Sequence, residues 1–502
     1  MNVQQDHVLH SRDGKFADDT SHPEDVARIL KAAATANQAN GLVIHFHGGL
    51  VCEKDGRGIA DFLAPKYWDA GAYPLFFVWE SGFIESLKNN LQDISQDPAF
   101  RELVKKVSEW ALKKLGGQVG LKGAPGQAIN EKKLRDDFDL WFAGKSPAPP
   151  VTDEGHVPST PTMKGAASIN EDDLADDIEA GLDADPDFQN AIQALHNAVS
   201  QGGPKSKGAG TASIADVVRL DNKAIGELFP GTTATTKGLL SWISVAKFVA
   251  KVVIAVLKRY AAGRAHGMYC TVVEEVLRAA YLDKVGATVW NQMKKDTADS
   301  FGSSSECCGT DVLNQLQQLA SFPKITLVGH STGAVYICNF LDAAARIIPN
   351  HKFDIIFLAP AVRHERFAAA LQAHAQRIEK FRMFGMSDEL ESNDVMVPIL
   401  YTRSLLYFVS GLLEGHTNTA GWTADIDAPI VGMQRYVENT DVFDTSDFPE
   451  VEEVREFLNT IQNSTVWSEA NAGDGLNSQS HSHGDFDNDP QTVASVLWQI
   501  SH

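Results

Sequence analysis

The chain has 502 residues, of which 43% are hydrophobic and 22% are charged, and its formal net charge at pH 7 is −21. This composition is close to that of average globular proteins and argues against wholesale disorder, while the length predicts a large core with a sizeable insertion, or two domains. Because an acidic surface repels phosphate groups, nucleic acid is not expected as a partner and anionic lipid surfaces are disfavoured.

Cysteine usage and the absence of targeting signals predict a reduced, cytoplasmic location. The five cysteines form no regular disulfide framework: Cys52, Cys270, Cys307, Cys308 and Cys338. The first residues show neither a basic start nor an apolar run, so no signal peptide is expected. The most apolar stretch, residues 239–257, is interrupted by Lys247 and Lys251, which predicts an amphipathic buried helix and no transmembrane segment.

Short runs rich in Val, Ile and Phe alternate with helical patterns at the start of the chain. This alternation predicts the α/β class, with a doubly wound, mainly parallel sheet that is covered by helices on both faces. We predict a strand at 42–46, a helix at 59–68 and a second strand at 74–79. Residues 1–82 are therefore predicted to be the first part of the core.

The alternation then stops, and residues 83–310 are predicted to be a large, mostly helical insertion. Flexible loops are expected near 145–165 and 201–212, where Pro, Gly, Ser and Lys are frequent. We expect the insertion to cap the active site and select the substrate, with the apolar helix 239–257 packed on the pocket mouth and on the apolar segment 404–413. The alternative is a separate module that packs away from the site.

The regular alternation resumes in residues 311–502, the predicted second part of the core. Predicted strands and helices follow one another as expected for parallel strands joined by helical crossovers. The strands are expected at 324–328, 353–358, 381–385 and 464–467, and the helices at 311–320, 334–345, 365–378 and 491–500.

A G-x-S-x-G pentapeptide, Gly-His-Ser-Thr-Gly, occupies residues 329–333. The predicted strand 324–328 leads directly into it and a predicted helix leaves it, which is the order of elements that exposes a nucleophilic serine. A tight turn of this kind requires nearly side-chain-free flanking residues, and it places Ser331 at a helix N-terminus where negative charge is favoured. We therefore predict that Ser331 is a nucleophile; the alternative is a plain Gly/Ser loop.

A serine hydroxyl needs a neutral imidazole to take its proton and a carboxylate to orient that imidazole. The expected chain order is serine, acid, histidine. Asp388 directly follows the predicted strand 381–385 and is the predicted acid, with Asp394 in the same loop as the alternative. His483 is the predicted base because the following glycine lets the loop turn the imidazole inward; His481 is the alternative.

The anion that forms on acyl attack needs two positioned N–H donors. We predict the backbone N–H of Thr332, next to the nucleophile, and N–H groups of Gly48 and Gly49, which follow the strand 42–46.

No spacing in the chain resembles a zinc site, so neither a metal nor a cofactor is expected. The alternative is a metal site formed by the neighbouring side chains of His481, His483 and Asp485.

Taken in order, the His-Gly-Gly sequence at 47–49, the pentapeptide at 329–333, Asp388 and His483 resemble the α/β-hydrolase superfamily, in its lipase- and esterase-like part. The resemblance covers the two predicted core parts. It implies a serine hydrolase that cleaves carboxylic esters through an acyl-enzyme, without a cofactor, on a small-molecule or lipid-like ester.

The motifs leave several related activities open. Acyl transfer, thioester hydrolysis and amide or peptide hydrolysis use the same three catalytic residues, and a non-catalytic binding protein could retain the same scaffold.

Overall fold

The computed structural model of the protein describes residues 2–17, 21–36, 38–49, 51–79, 83–115, 130–151, 169–200, 219–232, 240–282, 285–304, 306–320, 323–414, 427–438 and 448–502. The loop predicted at 201–212, and most of the loop predicted at 145–165, lie outside these residues.

Eight strands form one sheet in the order β2-β1-β4-β3-β5-β6-β7-β8, and every neighbouring pair is parallel except the antiparallel pair β1–β2. The predicted α/β class with a mainly parallel sheet is confirmed. The strands are β1 Val8–Arg12, β2 Lys15–Phe16, β3 Leu42–Phe46, β4 Tyr73–Trp79, β5 Ile325–His330, β6 Phe353–Leu358, β7 Ile378–Met386 and β8 Thr465–Ser468, and a separate small hairpin pairs β9 Ala470–Asn471 with β10 Asn477–Ser478.

The helices fall into three groups along the chain. Those before and among the first strands are α1 Val3–Asp6, α2 Pro23–Ala36 and α3 Glu53–Asp69. Between β4 and β5 lie α4 Phe83–Ser95, α5 Pro98–Leu115, α6 Glu131–Phe142, α7 Glu171–Leu182, α8 Pro186–Ser200, α9 Asn222–Leu228, α10 Trp242–Ala261, α11 Met268–Ala280, α12 Ala287–Asp299 and α13 Cys308–Gln317. After β5 come α14 Gly333–Ile347, α15 His364–His374, a 3₁₀ turn Ala375–Arg377, α16 Asp388–Asn393, α17 Leu405–Phe408, a π-helical turn Val409–Leu413, α18 Gln434–Glu438, α19 Pro449–Asn459 and α20 Pro490–Ser501.

The central strands are apolar on both sides because both faces of the sheet are covered. All five residues of β3 are buried. Leu42, Ile44 and Phe46 belong to one hydrophobic cluster, whereas Val43 belongs to a second. The smaller cluster includes side chains of α3 and α20, and the larger includes α14, α15 and the helices between β4 and β5. This continuous burial is the reason why the sequence of β3 is apolar at every position except His45, which is also buried.

In the described part of the block between β4 and β5, all the named secondary-structure elements are helices. The predicted apolar helix corresponds to α10, whose principal neighbours are α5, α7, α9 and α11 of the same block. Two helices of the block, α11 and α12, contact the π-helical turn, and on α11 the Arg278 guanidinium donates a hydrogen bond to the Gly411 carbonyl. The block therefore reaches the predicted segment 404–413 through α11 and α12.

Among the helices formed by the described residues, none is both long enough and apolar enough to cross a bilayer.

Candidate active site

Ser331 lies in the turn between β5 and α14. Its φ of +54° is in the left-handed region, which residues with a side chain rarely adopt. The Ser331 N–H donates to the Leu358 carbonyl (2.8 Å), and the Ser331 carbonyl accepts from the Ala361 N–H (3.0 Å). The segment that follows β6 thus holds the serine backbone in its unusual conformation.

The two glycines that flank this turn are required by the close approach of backbones. A Cβ atom added to Gly333 would lie 2.3 Å from the Phe46 carbonyl oxygen in β3, and one added to Gly329 would lie 2.8 Å from the Gly333 backbone. Because α14 starts in contact with the sheet, the side chain of Ser331 is carried at the carboxyl edge of the central strands.

The structure brings His483 to the serine, with 2.9 Å between His483 Nε2 and Ser331 Oγ. Both side chains are buried. Burial lowers the pKa of His483 to about 3, so the imidazole is neutral at pH 7 and its Nε2 can accept the hydroxyl proton. Among the described residues, His483 Nδ1 has no hydrogen-bond partner.

The alternative histidine, His481, lies at the surface. Its Nε2 is 3.1 Å from the Glu469 carboxylate, and more than half of its side chain is exposed. The structure does not bring it to Ser331.

The two candidate acids have different neighbours. Asp394 accepts the backbone N–H of His483 at 3.1 Å, and burial raises the pKa of Asp394. Asp388 instead accepts the Tyr407 hydroxyl at 2.7 Å, and no hydrogen bond joins its carboxylate to His483 within the described part of the chain. The geometry therefore favours Asp394, the alternative acid, and gives no support to Asp388; which of them acts stays a prediction.

The predicted anion-binding loop lies against the serine. A Cβ atom added to Gly48 would lie 3.2 Å from Ser331 Cβ, and one added to Gly49 would lie 2.8 Å from Thr332 Oγ1. Across the ranges that the structure describes, the backbone N–H groups of Gly49 and Thr332 have no acceptor. They are available to a negatively charged oxygen.

His47 fixes this loop on β4. Its Nε2 accepts the Trp79 N–H at 3.0 Å, so its Nδ1 must be the donor to the Gly48 carbonyl at 2.7 Å. Burial lowers the pKa of His47 to about 4, which agrees with a neutral ring that donates on one side and accepts on the other.

Sequence reasoning missed a second buried histidine–aspartate pair at the site. His330 Nδ1 lies 3.2 Å from Asp487 Oδ2, and His330 Nε2 lies 2.9 Å from the His483 carbonyl oxygen. His330 occupies an unconstrained position of the pentapeptide, and Asp487 is one of several acidic residues in its loop, so no motif singled them out.

Within the described ranges, no three His, Cys, Asp or Glu side chains are grouped so that they could hold a metal ion. The Asp485 carboxylate accepts backbone N–H groups of His481 and Ser482, and the two histidine rings have different partners. That the site works without a metal or cofactor stays a prediction.

A cavity of about 590 Å³ lies between the helical block and the loop that follows α16. Asp394 lies within this loop, between two residues that line the cavity, Asn393 and Val395. Other lining residues are Trp141, Pro147, Met268, Tyr269, Cys270, Ile399, Thr402 and Arg403.

No family model, curated protein or solved structure with which the chain was compared shows a significant match. The interpretation of the site therefore depends on its own geometry.

The contact between Gly333 and β3 makes a testable prediction. Gly333→Ala should lower the free energy of unfolding by about 2–3 kcal/mol, because the new methyl group meets a backbone oxygen that cannot move independently. Urea denaturation followed by circular dichroism measures this change.

Gly58→Ala is the matched control, since Gly58 lies inside α3 with no atom within 4 Å of the added Cβ. This change should raise the free energy of unfolding by about 0.5–1 kcal/mol. Equal effects of the two substitutions would contradict the close approach of α14 to β3.

Proposed function

We propose that the protein is a serine hydrolase of the α/β-hydrolase kind that cleaves carboxylic esters through an acyl-enzyme on Ser331. The observation that carries this proposal is the 2.9 Å contact between His483 Nε2 and the hydroxyl of a serine held at φ +54° before a helix. A neutral, buried imidazole beside a serine at a strand–helix turn is the arrangement that activates a serine nucleophile.

The reaction would follow from these contacts. Ser331 Oγ attacks the ester carbonyl carbon while His483 Nε2 takes the hydroxyl proton. The carbonyl oxygen becomes an anion that the N–H groups of Thr332 and Gly49 stabilise. The C–O bond to the alcohol then breaks, and His483 returns the proton to the departing alkoxide. Water attacks the acyl-enzyme in the same way and gives up a proton to His483. His483 then protonates Ser331 Oγ as the bond between Oγ and the acyl carbon breaks, which releases the carboxylic acid and restores the serine hydroxyl.

We propose Asp394 as the acid that orients His483. When Nε2 accepts a proton from serine, Nδ1 carries a hydrogen that needs an acceptor. The Asp394 carboxylate already accepts the His483 backbone N–H, and this contact with the same residue supports the assignment. Asp388 is engaged by the Tyr407 hydroxyl, which supports a structural role for that carboxylate.

We further propose that the helical block caps the site, and that the cavity between it and the Asp394 loop holds the apolar part of the ester. Its walls include aromatic and aliphatic side chains together with a few polar groups, as is usual for small-molecule pockets.

Ser331→Ala should lower turnover of a p-nitrophenyl ester by roughly three to six orders of magnitude and abolish labelling by a fluorophosphonate probe. The control is Ser482→Ala, next to His483, which should label and turn over like the wild type. Wild-type activity in Ser331→Ala would refute the proposed function.

The acid is identified by comparing Asp394→Asn with Asp388→Asn. Asp394→Asn should reduce kcat by on the order of 10⁴, because an amide cannot stabilise the imidazolium and favours the wrong tautomer. Asp388→Asn should reduce kcat less than about tenfold, since it weakens only the contact with Tyr407. The opposite order would return the role to Asp388, as first predicted from the sequence.

Val395→Trp should change the preference between long-chain and short-chain esters by about tenfold in kcat/KM, because the indole would occupy part of the cavity. Labelling of Ser331 by a small fluorophosphonate should persist. Val289→Trp is the control, because Val289 on α12 is similarly exposed (45% against 48%) and does not line the cavity. An unchanged ester-length profile in Val395→Trp would show that the acyl chain binds elsewhere.

A further inference from the structure

His330 precedes Ser331 in the chain, and its ring lies beneath the site. The side chains of His330 and Asp487 are each only 5% exposed. Each ring nitrogen of His330 has one neighbour within hydrogen-bond distance: Nδ1 faces the Asp487 carboxylate and Nε2 faces the His483 carbonyl oxygen.

Both of these neighbours accept hydrogen bonds. A carbonyl oxygen has no hydrogen to give, and an ionised carboxylate has none either. A neutral imidazole carries only one N–H, so it would leave one nitrogen lone pair facing an acceptor. With Asp487 ionised, both contacts are hydrogen bonds only when the ring carries a proton on each nitrogen.

The electrostatics of the pair agree with this protonation. Burial by itself lowers the pKa of His330, but the negative charge and the hydrogen bond of Asp487 outweigh it, and the pKa of His330 is raised. Burial would raise the pKa of Asp487, yet the His330 charge holds it below its usual value.

We propose that His330 is an imidazolium held by Asp487, and that it is a positioning residue for the general base His483. This inference rests on the proposed function. The main chain of His483 is fixed on both sides, by Asp394 at its N–H and by His330 at its carbonyl. The ring that must meet Ser331 Oγ is therefore supported by a charged hydrogen bond, which is stronger than a neutral one.

The same charge also affects the proton affinity of the base. The rings of His330 and His483 have centroids 5.4 Å apart, so a positive charge on His330 opposes protonation of His483. Within the described residues, the other charged or titratable groups that interact with Asp487, His330, His483 or Asp394 include His45, His47, Tyr67, Asp485, Glu391 and Lys88. The Asp487 charge acts against the His330 charge, and the effect of His330 on the pKa of His483 is the larger of the two.

The first experiment is the pH profile of kcat/KM for His330→Gln. Glutamine can still donate to the His483 carbonyl, but it carries no charge. The acid limb of the profile should therefore move to higher pH by about one to two units. His481→Gln is the control, with the same change on an exposed ring two residues from His483, and it should keep the wild-type profile.

The second experiment uses the wild-type chain, so it does not depend on the folding of the His330 variant. With ¹⁵N-labelled histidine, the NMR spectrum at pH 8 should contain one ring with both nitrogens protonated, and Asp487→Asn should remove that signal. An acid limb that stays in place in an active, Ser331-labelled His330→Gln enzyme, or the absence of a doubly protonated ring, would overturn the proposal. If the fluorophosphonate probe failed to label Ser331 in the wild type, the proposed function would be refuted, whereas the NMR result on His330 would still hold.

Discussion

Ser331 keeps its left-handed backbone conformation because its N–H and carbonyl are both bound by the connection that follows β6. That conformation costs on the order of 1–2 kcal/mol for a residue with a Cβ atom, and two hydrogen bonds worth about 1 kcal/mol each are sufficient to offset it. Without them the turn would relax and the hydroxyl would leave its position beside His483. The rest of the site depends on these two hydrogen bonds, because they offset the strain in the Ser331 backbone and so keep its hydroxyl beside His483.

The order of strands explains how four distant chain segments meet at one point. β3, β5 and β6 are adjacent and parallel, so their carboxyl ends share one edge. The loop of Gly48 and Gly49 leaves β3, the serine leaves β5, and Leu358 at the end of β6 binds the serine backbone. The histidine loop precedes α20, which packs on the opposite face of the sheet from α14. Parallel topology thus brings these groups together without any local sequence signal that links them.

The sequence predicted the buried strands well because their side chains are apolar on both faces. It missed β1, where His10 and Ser11 are polar although both are buried. It also gave no physical ground for distinguishing two neighbouring carboxylates. Asp388 begins α16 and Asp394 follows the end of that helix, and their surroundings differ because Asp388 contacts Tyr407, which comes from a different helix. Such contacts depend on tertiary packing, which periodicity and motif spacing do not encode.

His330 shows the same limit in another form. The pentapeptide constrains its glycines and its serine, and it leaves this position open. Asp487, the carboxylate that pairs with His330, lies 157 residues further along the chain. A residue whose role comes from a long-range pair is invisible to any motif, whereas the acceptor-only environment of its two ring nitrogens is visible at once in the structure.

Buried charged side chains connect the helical block to the segment between α16 and α17, which contains Asp394. The Arg259 guanidinium on α10 pairs with Glu274 on α11, and both side chains are at most 1% exposed. Glu274 also accepts hydrogen bonds from His266 and from the Tyr401 hydroxyl. Tyr401 belongs to the segment between α16 and α17, so this cluster spans the block and the loop.

A second path leads from the block to Asp388 itself. Arg435 on α18 donates to the Ala265 carbonyl, between α10 and α11, and to the Tyr407 hydroxyl, which in turn donates to Asp388.

Buried ion pairs recover little free energy compared with apolar packing, because desolvation offsets most of their attraction. They are nevertheless costly to separate, since each partner alone would be an uncompensated buried charge. A block that was free to pack elsewhere would not place these charges at its border with the core. The arrangement therefore argues that the helical block and the segment carrying Asp388 and Asp394 fold as one unit, so the positions of both carboxylates depend on residues far from them in the chain.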